Sequence, residues 1–132
     1  MNLKQINNLT DLFFDQFKKQ TNKDKILLST WGDKRKNYSW QETCDFISLV
    51  SNKLRKVISK GDRCLLISEN RPEWFITDLS IMLSDGITVP AYTTYAENDY
   101  NYILNDCTPS VILFQIMNNL INWKILLRIK NS

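Results

Sequence analysis

The stretch Gly61–Tyr92, GDRCLLISENRPEWFITDLSIMLSDGITVPAY, decides the fold. "RCLLIS" is a continuous apolar run of strand length, the pattern of a strand covered on both faces of a parallel sheet. "ENRP" turns the chain, with Asn70 or Arg71 as helix cap and Pro72 at the first helical position, where its missing N–H costs nothing. From Pro72 to Ser84, residues Trp74, Phe75, Ile76, Leu79, Ile81, Met82 and Leu83 lie on nearly every side of a helix, and a helix apolar all round is a buried one. Gly86 is expected to close that helix, and "ITVP" opens the next strand. A strand, a buried helix and a second strand make a βαβ unit.

Working outward, "AENDYNYILND" predicts a short helix with Tyr102, Ile103 and Leu104 as apolar contacts, and "SVILF" a further strand. Upstream, Ile6, Leu9, Phe13 and Phe17 fall at helical spacing and predict an amphipathic helix ending near Asn22. As a membrane-surface helix it is disfavoured, because Asp11 and Asp15 stand on the polar face where lysines would be wanted. "KILLSTW" and "KNYSW" flank the charged turn Gly32–Lys36 and read as a hairpin. Ser39 with Glu42 three residues later forms a capping box for a helix whose apolar face is Ile47, Val50, Leu54 and Val57, with Gly61 as its stop. The expected fold is therefore α/β: βαβ units form a mainly parallel sheet flanked by helices, with a small N-terminal hairpin. After Phe114 the texture changes, and "QIMNNLINWKILLRIKNS" reads as a helix. The expected division is residues 1–114 as one domain and 115–132 as a divergent basic apolar tail.

Composition excludes several classes of function. With 43% hydrophobic and 23% charged residues in 132, the chain is an ordinary globular domain. The net charge is +3, yet all 14 acidic residues lie at or before Asp106, and only Lys124, Arg128 and Lys130 of the 17 basic residues come later. Residues 1–114 are thus neutral, which argues against a nucleic-acid partner, whereas the tail offers a peripheral contact with an anionic membrane surface. No histidine is present, removing the commonest acid–base catalyst and metal ligand. Cys44, Cys64 and Cys107 are scattered and odd in number, so free thiols are expected rather than a zinc site or disulfides. No signal-peptide core or membrane span is seen, and a cytoplasmic location is expected.

The chemistry-bearing motifs are few. Gly32, Gly61 and Gly86 are the only glycines and cannot build a phosphate-cradling loop. That disfavours a dinucleotide-binding domain. Glu69 and Glu73 could be paired carboxylates, but Glu73 falls in a helix's first turn, where it serves the dipole. A receiver domain needs adjacent acids after its first strand, and "LLISENRP" has none.

The opening stretch resembles the N-terminal region of the adenylate-forming acyl-CoA synthetases. "KNYSWQETCDFISLVSNKLRK" is similar to the family's TY-x-EL helix, and "KGDRCLLISENRPEW" to its GDRV strand and N-x-PEW turn. "LSDGITVPAY" is similar to its AGA-x-x-VP segment, although Asp85 stands where a small residue is usual, and "YNYILNDCTPSVIL" to its YIL-D helix and following strand. "SENRPEW" with "ITVPAYTTY" resembles the long-chain fatty acid–CoA ligase branch. The resemblance runs from about Asn22 to Phe114 and implies a partial N-terminal subdomain of that fold. It implies a parent reaction that uses a fatty acid, ATP, Mg2+ and CoA. The family's phosphate loop, aromatic–acid motif, ribose-binding aspartate and C-terminal lysine match no position here. No catalytic, cofactor-binding or metal-binding residue is therefore assigned, and no cofactor is expected for the chain alone.

Two readings follow. In the first, the chain is a truncated or frameshifted N-terminal piece of a long-chain fatty acid–CoA ligase, inactive by itself. In the second, it is a non-catalytic α/β interaction module that binds a synthetase partner or a membrane surface. The first also leaves apolar faces and sheet edges open to self-association.

Overall fold

A computed structural model describes residues 6–115 and 123–126. The sheet is built around the deciding stretch. Strand β3 (Arg63–Ile67) lies between β4 (Ile87–Ala91) and β5 (Val111–Gln115), parallel to both, and β6 (Trp123–Leu126) adds antiparallel to β5. The order β4-β3-β5-β6 confirms the mainly parallel sheet. It also corrects the tail: residues 123–126 form a strand, in register Leu113↔Ile125, where a helix was expected. Apolar residues without alternation do not distinguish the two states, and the free edge of β5 is satisfied by a neighbouring strand. The rest of that expected helix lies outside the described residues.

In front of the sheet come α1 (Leu9–Lys19), the antiparallel hairpin β1 (Ile26–Ser29) and β2 (Asn37–Ser39), and α2 (Trp40–Leu54). The capping box is formed: the Ser39 hydroxyl accepts the Glu42 amide at 3.1 Å, and the Glu42 carboxylate accepts the Ser39 amide at 2.9 Å. Helix α2 ends at Leu54, well before Gly61, which takes φ +83° in the turn into β3. Helix α1 is rotated from the expected stripe. Thr10 and Phe13 are its buried residues, Phe13 stacks on Trp40 with centroids 5.8 Å apart, and Leu9 is exposed.

Helix α3 (Pro72–Leu83) packs along α2. A seam of serine hydroxyls runs through the otherwise apolar contact. The Ser51 and Ser84 hydroxyls lie 3.0 Å apart, and Ser80 donates to the Ile47 carbonyl at 3.2 Å and to Ile76 at 2.6 Å. These hydroxyls satisfy themselves on carbonyls one turn back, so small side chains bring two backbones close without an orphaned polar group. Arg71 occupies the N-cap position with no side-chain capping bond, and Pro72 takes the first turn as expected. At the other end, Asp85 N–H donates to Met82 O at 3.1 Å and Gly86 N–H to Ile81 O at 3.0 Å. This is a Schellman motif whose left-handed residue is Asp85, at φ 61°, not Gly86. Gly86 serves close packing instead, since a Cβ there would meet Ile58 Cδ1 and Ile81 Cγ2 at 3.0 Å.

Two buried clusters result. Cys64 and Leu66 of β3 join Val111 and Leu113 of β5, Ile81 of α3, Val50 and Leu54 of α2, and Ile58 just after it. Tyr38, Phe13, Ile47, Ile76 and Leu79 form the other between the hairpin, α1, α2 and α3. Helix α4 (Glu97–Cys107) buries only Cys107, and Tyr102, an expected contact, is 71% exposed.

Candidate functional site

In a parallel sheet of this topology, ligands are held outside the carboxyl ends of the strands, where the order reverses. Here β4 and β5 lie on opposite sides of β3, and of the loops at the carboxyl edge those after β3 and β4 fall within the described residues. After β3, Ser68 is buried and donates to the Glu69 carbonyl at 2.9 Å. Glu69 and Arg71 approach at 3.5 Å on the surface, an exposed ion pair worth a fraction of a kcal/mol, on the order of 0.5.

Glu69 and Glu73 do not act together. Glu69 meets Arg71, whereas Glu73 accepts the hydroxyl of Tyr38, a residue 35 positions away in the hairpin and almost fully buried. Burial, and then the Glu73 carboxylate beside it, pushes the Tyr38 phenol well above its ordinary value. The second Glu73 oxygen, Oε2, is buried without a hydrogen-bond partner among the described residues. The first-turn position of Glu73 in α3 offsets part of that cost. Glu73 is thus a structural clamp between the hairpin and α3 as well as a dipole partner. No local pattern could have shown it, because the partner is distant in sequence.

After β4, Tyr92, Tyr95 and Tyr100 form a chain of edge-to-face rings at 5.4 and 6.0 Å, and the Tyr100 hydroxyl donates to the Tyr92 carbonyl at 2.6 Å. This aromatic step was not singled out from sequence, although "YTTYAENDY" spells it out.

The thiols are held inert. Burial, then Asp62, pushes Cys64 up to about 11, and burial likewise raises Cys44 and Cys107. A nucleophilic thiol needs the opposite shift. No group of three or more Cys, Asp or Glu that could hold a metal exists among the described residues. Nor does the strand-end donor set fit a triphosphate. It offers two carboxylates, tyrosine rings and one cation already facing Glu69, and the glycines stand in turns or at the α3–β4 packing contact.

The fold defines an α/β layer of the adenylate-forming type, and comparison with known proteins agrees. Residues 13–128 match the family model described as AMP-binding enzyme. The chain is 32% identical over 84 residues to fatty acyl-CoA synthetase A of Dictyostelium discoideum, covering 61% of this chain and 13% of that protein. Over 57 residues it is 35% identical to the long-chain-fatty-acid–CoA ligase FadD15 of Mycobacterium tuberculosis, covering 43% of this chain and 9% of the ligase. Its fold is similar to the N-terminal subdomain of Klebsiella oxytoca NpsA, with a TM-score of 0.71 at 18% identity, over 87% of this chain and 29% of that one. The chain belongs to the AMP-binding enzyme family. It matches the N-terminal part of fatty acyl-CoA synthetases and spans 13% or less of the synthetase and the ligase named here.

Proposed function

We infer that the chain is N-terminal scaffold of a long-chain fatty acid–CoA ligase. The parent reaction would join a fatty acid to ATP as an acyl-adenylate with release of pyrophosphate, and then transfer the acyl group to CoA with release of AMP. ATP, Mg2+, CoA and the fatty acid belong to that whole enzyme. One observation carries the reading: the segments that resemble the ligases, "GDRCLLISENRPEW" and "ITVPAY", lie side by side as β3–α3 and β4 inside a family match that covers 13–128. Adenylation requires preorganised donors around the phosphates, and three dispersed glycines with a carboxylate-bearing edge do not supply them.

The purified 132-residue chain is expected to show no fatty-acid-stimulated ATP–pyrophosphate exchange. Measurable exchange would sink the proposal of inactivity. The family assignment is tested separately by translating the DNA beyond the Phe114 codon in all frames. A serine/threonine/glycine-rich phosphate loop there supports a ligase gene, and its absence favours the second reading, an independent interaction module. That reading draws support from the sheet face over α4, where Ile67, Ile112 and Phe114 stay half-buried and would suit a covering partner. Concentration-dependent self-association by analytical ultracentrifugation is the expected outcome, and a strictly monomeric chain would count against an uncovered face. Peripheral membrane contact through the tail is a further proposal, resting on its charge.

A further inference from the structure

The most exposed aromatic side chain among the described residues stands beside exposed basic ones at the tip of the β1–β2 hairpin. The base of this loop is closed by Thr30 N–H donating to Lys36 O at 2.9 Å and Lys36 N–H donating to Thr30 Oγ1 at 2.8 Å. Below it, Tyr38 anchors the hairpin in the core, and Lys36 Nζ lies 4.8 Å from the centre of the Tyr38 ring. The five residues between, Trp31 to Arg35, project into solvent, and Gly32 takes φ +104° to let them turn.

Trp31 is 92% exposed, the most exposed large hydrophobic side chain among the described residues. It makes no ring contact or hydrogen bond there, although an indole is normally among the most buried groups of a domain. Lys34 and Arg35 are exposed and form no ion pair among the described residues. With Asp33 as its lone acid, the tip Trp31–Arg35 keeps a net charge of +1.

We propose that this hairpin tip docks on an anionic lipid surface, with the Trp31 indole entering the headgroup layer and Lys34 and Arg35 facing lipid phosphates and carboxylates. An indole settles at that depth because its body is apolar and its N–H stays wet, while lysine and arginine stems lie along the apolar layer with their charges outside. Nucleic acid fits less well. It calls for a basic face spanning several phosphates, whereas this domain is otherwise neutral. The docking element is distinct from the C-terminal tail and independent of whether the chain adenylates anything.

The test is co-sedimentation of the full chain with phosphatidylserine-containing vesicles, pure phosphatidylcholine vesicles serving as the neutral control. Anionic vesicles should bind it, and added salt should weaken binding. Lys34→Gln/Arg35→Gln should lower the affinity by roughly fivefold per cation removed. Trp31→Ala should lower it by about tenfold, and both variants should keep the parent's urea midpoint because these side chains touch nothing else. For the unmutated chain, anionic vesicles should shield an indole from acrylamide quenching, a readout that does not rely on any variant folding. The proposal is overturned by equal binding to neutral vesicles, by variants that bind like the parent, or by capture of RNA or an acidic protein without vesicle binding. Unchanged quenching would overturn it too.

Discussion

Helices α3 and α4 do the same topological job and are treated very differently. Each returns the chain from one parallel strand to the next, α3 from β3 to β4 and α4 from β4 to β5. Yet α3 buries Pro72, Ile76, Thr77, Leu79, Ser80 and Ile81, while α4 buries Cys107 alone. The cause is the strand order. From β3 the chain steps outward to β4 and then back across to β5, so right-handed crossovers place the two helices on opposite faces. Alternation along the strands shows the faces directly. Cys64, Leu66, Val111 and Leu113 sit in the cluster under α2 and α3 and are essentially inaccessible. On the other face Leu65 is just as inaccessible, whereas Ile67, Ile112 and Phe114 around it are half-buried and Arg63 is exposed, its guanidinium reaching Cys107 O and Thr108 Oγ1. One side of this sheet is finished; the other is closed at Leu65 and only partly covered around it, with a single helix resting on its rim.

The largest effect that can break this contrast is a pair of truncations. Leu66→Ala removes a fully buried side chain from the finished face, where neighbours are fixed and collapse is poor, and should cost about 3 kcal/mol. Leu104→Ala, at a half-buried position of α4, should cost about 1 kcal/mol or less. Urea denaturation of both variants measures this. Equal losses would mean that the α4 face is as tightly packed as its opposite.

Alkaline pH sharpens the same point. The buried Cys64 thiol titrates near 11 in the folded chain against 9.0 ordinarily, so the folded state holds its proton where the unfolded state has lost it. Its contribution is complete below pH 9 and disappears as pH rises towards 11, a loss on the order of 2 kcal/mol. Tyr38, also raised by burial, extends the decline above pH 10. Urea midpoints at pH 8 and pH 10.5 should therefore fall in the parent and fall less in Cys64→Ala. A flat profile would show that the face admits hydroxide or opens locally.

The helix starts differ by a comparable device. Helix α2 has both halves of its capping box, whereas α4 has one: the Asp99 carboxylate accepts the Ala96 amide at 2.9 Å, but Ala96 has no side-chain oxygen to return. Ser39→Ala should destabilise by about 1 kcal/mol, and Ala96→Ser should stabilise by a similar or smaller amount. Thermal melts followed by circular dichroism read both. No gain from Ala96→Ser would mean that α4 frays too readily for its cap to matter to global unfolding.

What the sequence made legible follows the same division. "RCLLIS" announced a doubly covered strand, and β3 is one; Ser39, Glu42 and Pro72 announced helix starts that are where they were read. These signals are local, carried by a few adjacent residues whose own backbone groups they satisfy. Long-range terms were not legible. The Tyr38–Glu73 bond joins elements 35 residues apart, and the serine seam buries hydroxyls within the contact of two helices read there as apolar. Tyr102 could not be seen as exposed without knowing that its face has no cover. Of the candidate site, the missing glycine loop was visible from composition, while the tyrosine step after β4 depended on geometry.

The smallest predicted effect concerns the junction between the two helices' territories. Asp85 occupies the left-handed position of the Schellman motif at φ 61°, where a Cβ is strained and glycine is not. Its carboxylate also stands at the C-terminal end of the α3 dipole, where a negative charge is unfavourable. The Arg55 guanidinium answers that end from α2's terminus, donating to Leu83 O at 2.7 Å, without forming an ion pair with Asp85. Both terms point the same way, so Asp85→Gly should stabilise the chain by about 0.5–1 kcal/mol, despite the greater freedom glycine gives the unfolded state. Asp85→Asn separates them, because asparagine removes the charge and tolerates the left-handed region only somewhat better than other side chains. A gain of about half as much from Asn would assign the remainder to backbone strain. If Asn equals Gly, charge alone accounts for the effect, and a loss with Gly would show that the Asp85 side chain makes a contribution that the backbone geometry conceals.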